Sequence, residues 1–322
     1  MELKEEIKRY LMTCRARGAA PNTIDSYGNN LMVFTRWQEE QSPQFTLDKM
    51  GSEDVEHYTF CLMEKYSLVT CNNKLRALSA FVSYLKERGK CPQDVRVRMV
   101  RAQETDIEPF TDEQLEGIYD ACLMHEGLNR VRDYTFMRIL EETGMRLQEA
   151  LTLRLGDIDI SGGIVTLRNT KNRKLRHAYL TPIMKQEMGD YLNLRARFLA
   201  ERGLDGDYVW IATTPQFAGQ LMSGGTIQRH IREYGEMAGV NIRVSPHTFR
   251  HTFARNWIIA GGDMFTLKEL LGHSSLEMVL KYVKLWSKDR QNNYNRVMAT
   301  RTKGSNVKQY NRRFKTRLRA LN

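Results

Sequence analysis

The sequence predicts a mainly α-helical fold with one small antiparallel β-sheet, divided between two domains. Amphipathic patterns at helical spacing recur along most of the 322 residues. Residues 153–180 differ, because three short strand-like runs follow one another there, with Gly-Gly and Lys-Asn-Arg turns between them. A charged stretch of low apolar content, residues 93–109, interrupts the helical patterns and indicates a linker between the domains.

The composition indicates a globular and strongly basic chain, with 41% hydrophobic residues and a formal net charge of +11. It has no apolar run of 18 residues and no signal-peptide pattern at its start, so we expect no membrane segment. Five scattered cysteines without a CxxC pair favour reduced thiols over a disulfide framework or a zinc site. Neither a P-loop nor GxGxxG occurs, and we expect no nucleotide cofactor. The charge favours a polyanionic partner, foremost nucleic acid, although ribosomal, membrane-surface and other soluble proteins are also basic.

Residues 1–92 are predicted to form a helical N-terminal domain from four amphipathic runs. The second run carries Tyr27, Leu31, Phe34 and Trp37 at helical spacing. Aromatic side chains in such a stripe either pack in a core or form a binding surface. The core interpretation is favoured here, because each run is amphipathic.

Residues 110–290 are predicted to form a second domain, with helices around the small sheet. A capping box, Thr-Asp-Glu-Gln, begins at Thr111, and further helical patterns begin at Pro182 and Ser223. Residues 291–322 follow as a tail with nine lysines or arginines and no acidic residue. This tail is either a solvated extension or an arm that binds phosphates or docks on a partner.

The segment VSPHTFRHTFA predicts a helix start that could bind an anion. Ser245 is a plausible N-cap and Pro246 suits the first helical position. His247 and Arg250 are three residues apart and share one face of the first turn, where unpaired N–H groups and the helix dipole favour negative charge. A surface helix start with incidental charges remains the alternative.

Arg146 follows a Thr-Gly turn, and Glu149 comes three residues later. A guanidinium that a carboxylate orients can clamp a phosphate through two hydrogen bonds. An ordinary intrahelical Arg–Glu pair is the alternative.

The basic hairpin after residue 167 offers a second source of cations. Lys171 stands at its tip among Arg168, Arg173, Lys174 and Arg176. Such a hairpin could enter a DNA groove, and a lysine at its tip could protonate a leaving oxygen. A solvated charged turn explains the same residues without a function.

The segment LLGHSSLEMVLKYV contains the most reactive candidate. Ser274 and Glu277 form a capping box directly after His273, and Tyr282 falls at the edge of the apolar stripe of the helix that follows. Tyr282 is either a structural aromatic or a nucleophile held over a cleft.

Taken in order, four of these segments resemble the catalytic segments of the tyrosine recombinase family, the phage-integrase and Xer-like site-specific DNA recombinases. They are TGMRLQEALTLRLGDID, TKNRKLRHAYLTP, HTFRHTFA and LLGHSSLEMVLKYV. The segments NTIDSYGNNLMVFTRW and NNKLRALSAFVSYLKERG resemble the core-binding domain of that family. The order of the segments and the interval of nine from His273 to Tyr282 make the resemblance specific.

The resemblance implies a complete catalytic set, which consists of Arg146, Lys171, His247, Arg250, His273 and Tyr282. Glu149 matches the acidic residue that supports the first arginine, and Lys174 is an alternative to Lys171 because hairpin lengths vary. A tyrosine hydroxyl with an ordinary pKa of about 10 is a poor nucleophile, so it needs cationic surroundings to attack phosphorus. The arginines would stabilise the pentavalent transition state, the histidines would bind the phosphate or share proton transfer, and the lysine would protonate the departing 5′ oxygen.

The implied reaction gives a 3′-phosphotyrosine link and a free 5′-hydroxyl, and it exchanges strands through a Holliday junction without metal, cofactor or ATP. It would serve integration, excision or resolution of a mobile element or replicon in the cytoplasm, at the nucleoid. The implied partners are double-stranded DNA with specific sites and further copies of the chain, a dimer on each site and a homotetramer in all. The tail could dock on a neighbouring protomer, and accessory proteins remain open.

Groove contacts are expected at the N-terminal domain and at the hairpin. The candidates are Asn72, Asn73, Lys74, Arg76, Arg173 and Lys174. A solvated helix end is the alternative for the first four. Two other functions also stay open: relaxation of DNA by a type IB topoisomerase-like enzyme, and DNA binding by a relative that has lost catalysis.

Overall fold

The computed structural model describes residues 2–41, 45–102, 107–168, 175–273, 275–280 and 294. Eleven α-helices and one three-stranded antiparallel sheet lie within these residues, so the predicted fold class is confirmed. The chain divides into two compact units, Met1–Thr105 and Asp106–Asn322. In the described part of the chain, no helix combines the length and the apolar character that crossing a membrane requires.

Among the described residues of the first unit, 2–41 and 45–102, there are four α-helices. They are α1 (Glu2–Ala16), α2 (Pro21–Gln41), α3 (Ser52–Lys65) and α4 (Leu68–Glu87), and a short 3₁₀ helix, Leu47–Lys49, precedes α3. Helix α3 begins where the backbone N–H of Gly51 donates to the Asp54 carboxylate at 2.8 Å. Helix α4 begins at Ser67, whose hydroxyl accepts from the backbone N–H of Thr70 at 3.4 Å.

The core of the first unit is aromatic. Leu31, Phe34 and Trp37 are buried on α2. The ring of Phe34 stacks on that of Trp37 with centroids 5.4 Å apart and meets the ring of Tyr58 edge-on at 4.9 Å. The core interpretation of this stripe is therefore confirmed.

In the described part of the second unit, the named elements are seven α-helices and the three strands of the sheet. In chain order they are α5 (Asp112–Leu123), α6 (Leu128–Thr143), α7 (Leu147–Leu151), β1 (Ile158–Asp159), β2 (Ile164–Leu167), β3 (Arg176–Tyr179), α8 (Pro182–Ala200), α9 (Gly224–Met237), α10 (Pro246–Ile259) and α11 (Met264–Leu271). The strands pair in the order β1-β2-β3, as antiparallel neighbours. The predicted capping box is present, because the Thr111 hydroxyl accepts from the N–H of Gln114 and the Gln114 side chain accepts from the N–H of Thr111.

Helix α6 runs through the middle of the second unit and packs against α5, α8, α9 and α10. Its buried side chains include Phe136, whose ring meets Trp210 edge-on at 5.0 Å, while Tyr191 of α8 stacks on the same indole at 5.2 Å. Dense packing of this kind gives a fixed frame for the polar groups at the ends of the helices.

A buried polar network fixes α6 to α9. One carboxylate oxygen of Asp133 accepts from the Tyr234 hydroxyl at 2.9 Å and is 2.6 Å from Nδ1 of His230. The other oxygen accepts from Nε of Arg132 at 2.8 Å. Because every charge in this network has a partner, the network can lie inside the unit, where an unpaired carboxylate would cost several kcal/mol, about 3–5.

Candidate active site

The end of α6 directs Arg146 to the site. Gly144 ends the helix in the left-handed region at φ +60°, where its N–H donates to the carbonyl of Leu140 at 3.0 Å. Arg146 then caps the start of α7: its backbone N–H donates to the Glu149 carboxylate at 2.9 Å, and so does its Nη1. The Arg146–Glu149 pair is present; the phosphate clamp and the ordinary ion pair considered from the sequence both require it. Glu149 is almost fully buried, whereas the side chain of Arg146 keeps 24% of its surface exposed.

Helix α10 supplies the second arginine. Its predicted start is confirmed, because Ser245 is the N-cap, its hydroxyl accepts from the N–H of Thr248 at 3.3 Å, and Pro246 opens the helix. Arg250 is only 3% exposed. Its Nη1 donates to the carbonyl of Gly144 at 2.7 Å and its Nη2 donates to the carbonyl of Leu271 at 2.7 Å. This guanidinium therefore joins the last turns of α6 and α11.

The turn after α11 brings three predicted residues together. Gly272 ends α11 at φ +62°, and its carbonyl accepts from Nη2 of Arg146 at 3.0 Å. His273 follows, is buried, and has its Nε2 2.7 Å from Nη2 of Arg250. Arg146, Arg250 and His273, hereafter the arginine–histidine cluster, are thus connected through one turn.

The protonation state of His273 follows from this contact. A guanidinium has only donors, so Nε2 of His273 accepts from Arg250 and the ring proton lies on Nδ1. The histidine is therefore neutral. Burial, and then the positive charges of Arg250 and Arg146, lowers the pKa of His273 to about 3.

The first two turns of α10 hold two further histidines. His247 is exposed, and partial withdrawal from water together with the charges of Arg250 and Arg243 lowers its pKa. His251 lies one turn later, with its ring centroid 5.8 Å from that of His247, and burial followed by the charge of His247 lowers its pKa to about 4. Burial is the largest cause of each shift, and the further causes are positive charges; the resulting positive potential favours an anion at this end of the unit.

Some predicted residues lie outside the described part of the chain. They are Lys171, Arg173, Lys174, Ser274, Tyr282 and the tail apart from residue 294. Past the turn, residues 277–280 are helical, and Val279 is buried in a small cluster with Leu267 and Leu271 of α11.

Sequence reasoning missed the role of Arg176, which it treated only as one cation of the basic hairpin. Its side chain is 10% exposed, its Nη2 donates to Glu149, and its Nη1 donates to the carbonyl of Leu270. The alternation along β3 could have predicted that this side chain points inward, because Arg176 shares a strand face with buried Ala178, but not which groups it contacts.

Residues 108–288 match the model of the phage integrase family, and residues 7–89 match the model of the phage integrase N-terminal SAM-like domain. The chain belongs to the phage integrase family. It is a tyrosine-type site-specific recombinase, an enzyme that breaks and rejoins DNA.

Known members of the family are similar to this recombinase over most of their length. The tyrosine recombinase XerC of Lactobacillus leichmannii is 25% identical over 284 residues, which are 88% of this chain and 94% of XerC. The structure of XerH bound to a palindromic difH substrate after cleavage has a TM-score of 0.69 at 20% identity and covers 88% of this chain and 81% of its own. The structure of a lambda integrase dimer bound to a COC′ core site has a TM-score of 0.67 at 19% identity, and the match covers 87% of this chain and 94% of the lambda integrase chain. At these identities the two structures show a common fold.

The N-terminal DNA-contact candidates of the recombinase divide into two pairs. Asn72 and Lys74 are buried. The amide of Asn72 donates to the carbonyl of Val100 and accepts from its N–H, both at 2.9 Å, and Nζ of Lys74 lies 4.4 Å from the ring centre of Tyr66. These contacts give both side chains structural partners within the first unit.

The other pair remains accessible. Asn73 and Arg76 are exposed, and the Arg76 guanidinium donates to the Asn73 amide oxygen at 2.9 Å. Their contact with a DNA groove stays a prediction. Across the residues that the structure describes, no group of three or more His, Cys, Asp or Glu side chains could hold a metal ion.

Proposed function

We propose that this recombinase cleaves DNA through attack of Tyr282 on a phosphate that the arginine–histidine cluster holds. The observation that carries the proposal is the meeting of Arg250, Arg146 and His273 at the turn after α11. Tyr282 comes nine residues after His273 in the chain. Two guanidinium groups and a buried histidine form a site for an oxyanion, because they offer several hydrogen-bond donors and two positive charges to one phosphate.

The two arginines would bind the non-bridging oxygens of the phosphate and stabilise the charge that grows on them in the pentavalent transition state. Both are held before any DNA arrives. Arg146 is fixed by Glu149 and by the carbonyl of Gly272, and Arg250 by the carbonyls of Gly144 and Leu271. Such preorganisation means that little reorganisation is needed during the reaction.

The histidines would act in their neutral form. The lowered pKa values of His247 and His273 favour the neutral form of both rings, and a neutral ring can donate one hydrogen bond and accept another. One of them can therefore take the proton of Tyr282 as its oxygen attacks. Lys171, with Lys174 as the alternative, would protonate the departing 5′ oxygen. The result would be a 3′-phosphotyrosine link and a free 5′-hydroxyl.

The DNA would be double-stranded and would carry a specific, approximately symmetric site. Support comes from XerH, which is bound to a palindromic substrate, and from lambda integrase, which is bound to its core site as a dimer. On this basis two dimers would join two sites as a homotetramer, and strands would exchange through a Holliday junction during integration, excision or resolution. Residues 1–92 would form the core-binding domain and residues 110–290 the catalytic domain.

The test is covalent capture on DNA that cannot be resealed. A library of duplexes would carry one nick at a fixed position within randomised sequence, so that cleavage near the nick releases a short fragment and traps the protein on DNA. Sequencing of the SDS-resistant adducts identifies the site. We expect a restricted and symmetric sequence, attachment through a 3′ end, and a new 5′-hydroxyl.

The variants would be Tyr282→Phe and, as a matched control, Tyr294→Phe, since Tyr294 is an exposed tyrosine twelve residues further along. We expect no adduct from the first and a wild-type yield from the second. Absence of any adduct from the wild-type protein would overturn the proposal, and so would attachment through a 5′ end. Equal capture of all sequences would indicate topoisomerase-like relaxation instead.

A further inference from the structure

Arg176 opens strand β3, directly after the hairpin segment that carries Lys171 in the sequence. A guanidinium that is 10% exposed needs partners, and Arg176 has two of them. Its Nη2 donates to the carboxylate of Glu149 and its Nη1 donates to the carbonyl of Leu270. The guanidinium of Arg176 therefore connects α7 to the last turn of α11.

Glu149 is shared between two arginines. Its Oε1 accepts from Nη1 of Arg146 at 2.9 Å, and its Oε2 accepts from the backbone of Arg146 and from Arg176. The Glu149 side chain is 2% exposed and lies between the two guanidinium groups. The orientation of Arg146 thus depends on a carboxylate that Arg176 holds from the other side.

The turn that carries His273 rests on the same side chain. A Cβ on Gly272 would lie 3.0 Å from Nε and 3.1 Å from Cδ of Arg176, so the backbone of the turn touches the guanidinium stem. The carbonyl of Gly272 accepts from Arg146. Loss of the Arg176 side chain would leave a space beneath this turn and remove one of the three arginines that contact it, since Arg146 and Arg250 are the other two.

We propose that Arg176 is a positioning residue of the catalytic site: it holds Glu149 and the 270–273 turn so that Arg146 and His273 face the same phosphate. Because Arg176 lies on β3, its hydrogen bonds also connect Glu149 and the 270–273 turn to the strand that follows the segment with Lys171. The inference rests on the catalytic roles proposed above for Arg146 and His273. Arg176 itself does not touch the reacting atoms.

A purely structural role is the alternative, and Arg195 provides a matched control for it. Arg195 is also buried, at 3% exposure, and lies in the same unit. Its Nε donates to the carbonyl of Tyr208 at 2.9 Å and its Nη2 to that of Gly206 at 2.6 Å. Each of the variants Arg176→Gln and Arg195→Gln therefore removes a largely buried guanidinium that has two hydrogen-bond partners. Only Arg176 has Glu149 as one of these partners.

The experiment measures DNA affinity and the single-turnover cleavage rate of the bound complex, on the nicked duplex recovered from the library. We expect Arg176→Gln to bind within about 3-fold of wild type but to cleave about 10- to 100-fold more slowly, because small misplacement of catalytic groups has effects of this size. Arg195→Gln should lower the melting temperature by a similar amount and cleave bound DNA at the wild-type rate. Arg176→Lys should recover only part of the rate, since an ammonium cannot reproduce the two-pronged contact.

A double-mutant cycle with Glu149→Gln tests whether Arg176 acts through the carboxylate. If it does, the two losses in rate do not multiply, and the double variant is close to the slower single variant. The inference is overturned if Arg176→Gln cleaves bound DNA at the wild-type rate, if its loss equals that of Arg195→Gln, or if the losses multiply. Normal cleavage by Arg146→Gln would instead refute the proposed catalytic roles, so the two failures are distinguishable.

Discussion

Nη2 of Arg250 donates to Nε2 of His273 across 2.7 Å, and the donor cannot exchange roles with the acceptor. This contact fixes the tautomer of the histidine and places a hydrogen-bond donor where a phosphate oxygen can compete for it. An anionic oxygen is a stronger acceptor than a neutral imidazole. We therefore expect DNA binding to replace the Arg250–His273 bond with a bond from Arg250 to the phosphate.

The neutral His273 makes the stability of the second unit depend on pH. Its pKa is about 3 in the folded protein and about 6.5 in an unfolded chain. Between these values the unfolded state binds the proton and the folded state does not, so stability falls as the pH is lowered from about 6.5 toward 3. The lowered pKa values of His247 and His251 act in the same direction.

Thermal unfolding between pH 7.5 and pH 5 measures this effect. The melting temperature should fall over this range, and it should fall less in His273→Asn. His125→Asn is the matched control, because His125 is exposed, and it should follow the wild-type curve. If the melting temperature falls equally with pH in wild type and in His273→Asn, the fold does not hold His273 neutral.

Replacement of Arg250 by lysine should separate binding from catalysis. Lysine keeps the positive charge, but its single ammonium group cannot donate to the carbonyls of Gly144 and Leu271 and also to a phosphate. We expect single-turnover cleavage to slow by about 10²- to 10³-fold, the usual cost of removing one transition-state donor. Stability should fall by about 1–3 kcal/mol, because a buried carbonyl is left without its partner. Cleavage within 10-fold of wild type would contradict the proposed role of Arg250.

The left-handed glycine at the end of α6 should be essential for packing. Gly144 has φ +60°, and an added Cβ would lie 2.5 Å from Cδ1 of Phe253 and 2.9 Å from Cδ2 of Leu271. Gly239 has φ +66° with nothing within 4 Å of its Cβ position. Gly239→Ala should therefore cost only the backbone strain, about 1–2 kcal/mol, and Gly144→Ala should add about 1–3 kcal/mol of overpacking. Chemical denaturation measures both, and equal costs would contradict the tight packing at Gly144.

The basic tail should strengthen DNA binding in a salt-dependent way. Replacement of its nine lysines and arginines by glutamine removes the cations of residues 291–322, where no acid balances them. The slope of log affinity against log salt should become shallower by about 0.9 for each phosphate that the tail neutralises in the wild-type complex. An unchanged slope together with failure to pair two DNA sites would indicate docking on a neighbouring protomer, and no change in either would indicate a solvated tail.

Local features of the fold could be predicted from the sequence, because their signals span three or four residues. The capped helix starts at Thr111 and Ser245 are examples, and both are confirmed. The contact of Arg176 with Glu149 joins residues 27 positions apart, and that of Arg250 with Gly144 joins residues 106 positions apart. No local pattern encodes such pairs, since they depend on how α6, α10, α11 and β3 pack.

The same limit applies to Asn72, a polar helix residue for which the sequence predicts a groove contact or a solvated helix end. Asn72 is followed by exposed Asn73 in the sequence, and both suit a DNA groove equally well. Only the structure brings the backbone of Val100 to Asn72, 28 residues away, where it satisfies the amide. Burial of a polar side chain follows from such a partner and not from its residue type.

Tandem mass spectrometry of the trapped adduct tests the central claim most directly. After digestion of the protein and of the DNA, the peptide that carries a nucleotide is sequenced and the modified residue is identified. The account predicts a nucleoside 3′-phosphate on the phenolic oxygen of Tyr282, in the peptide that follows His273. A nucleotide on any other side chain would contradict it.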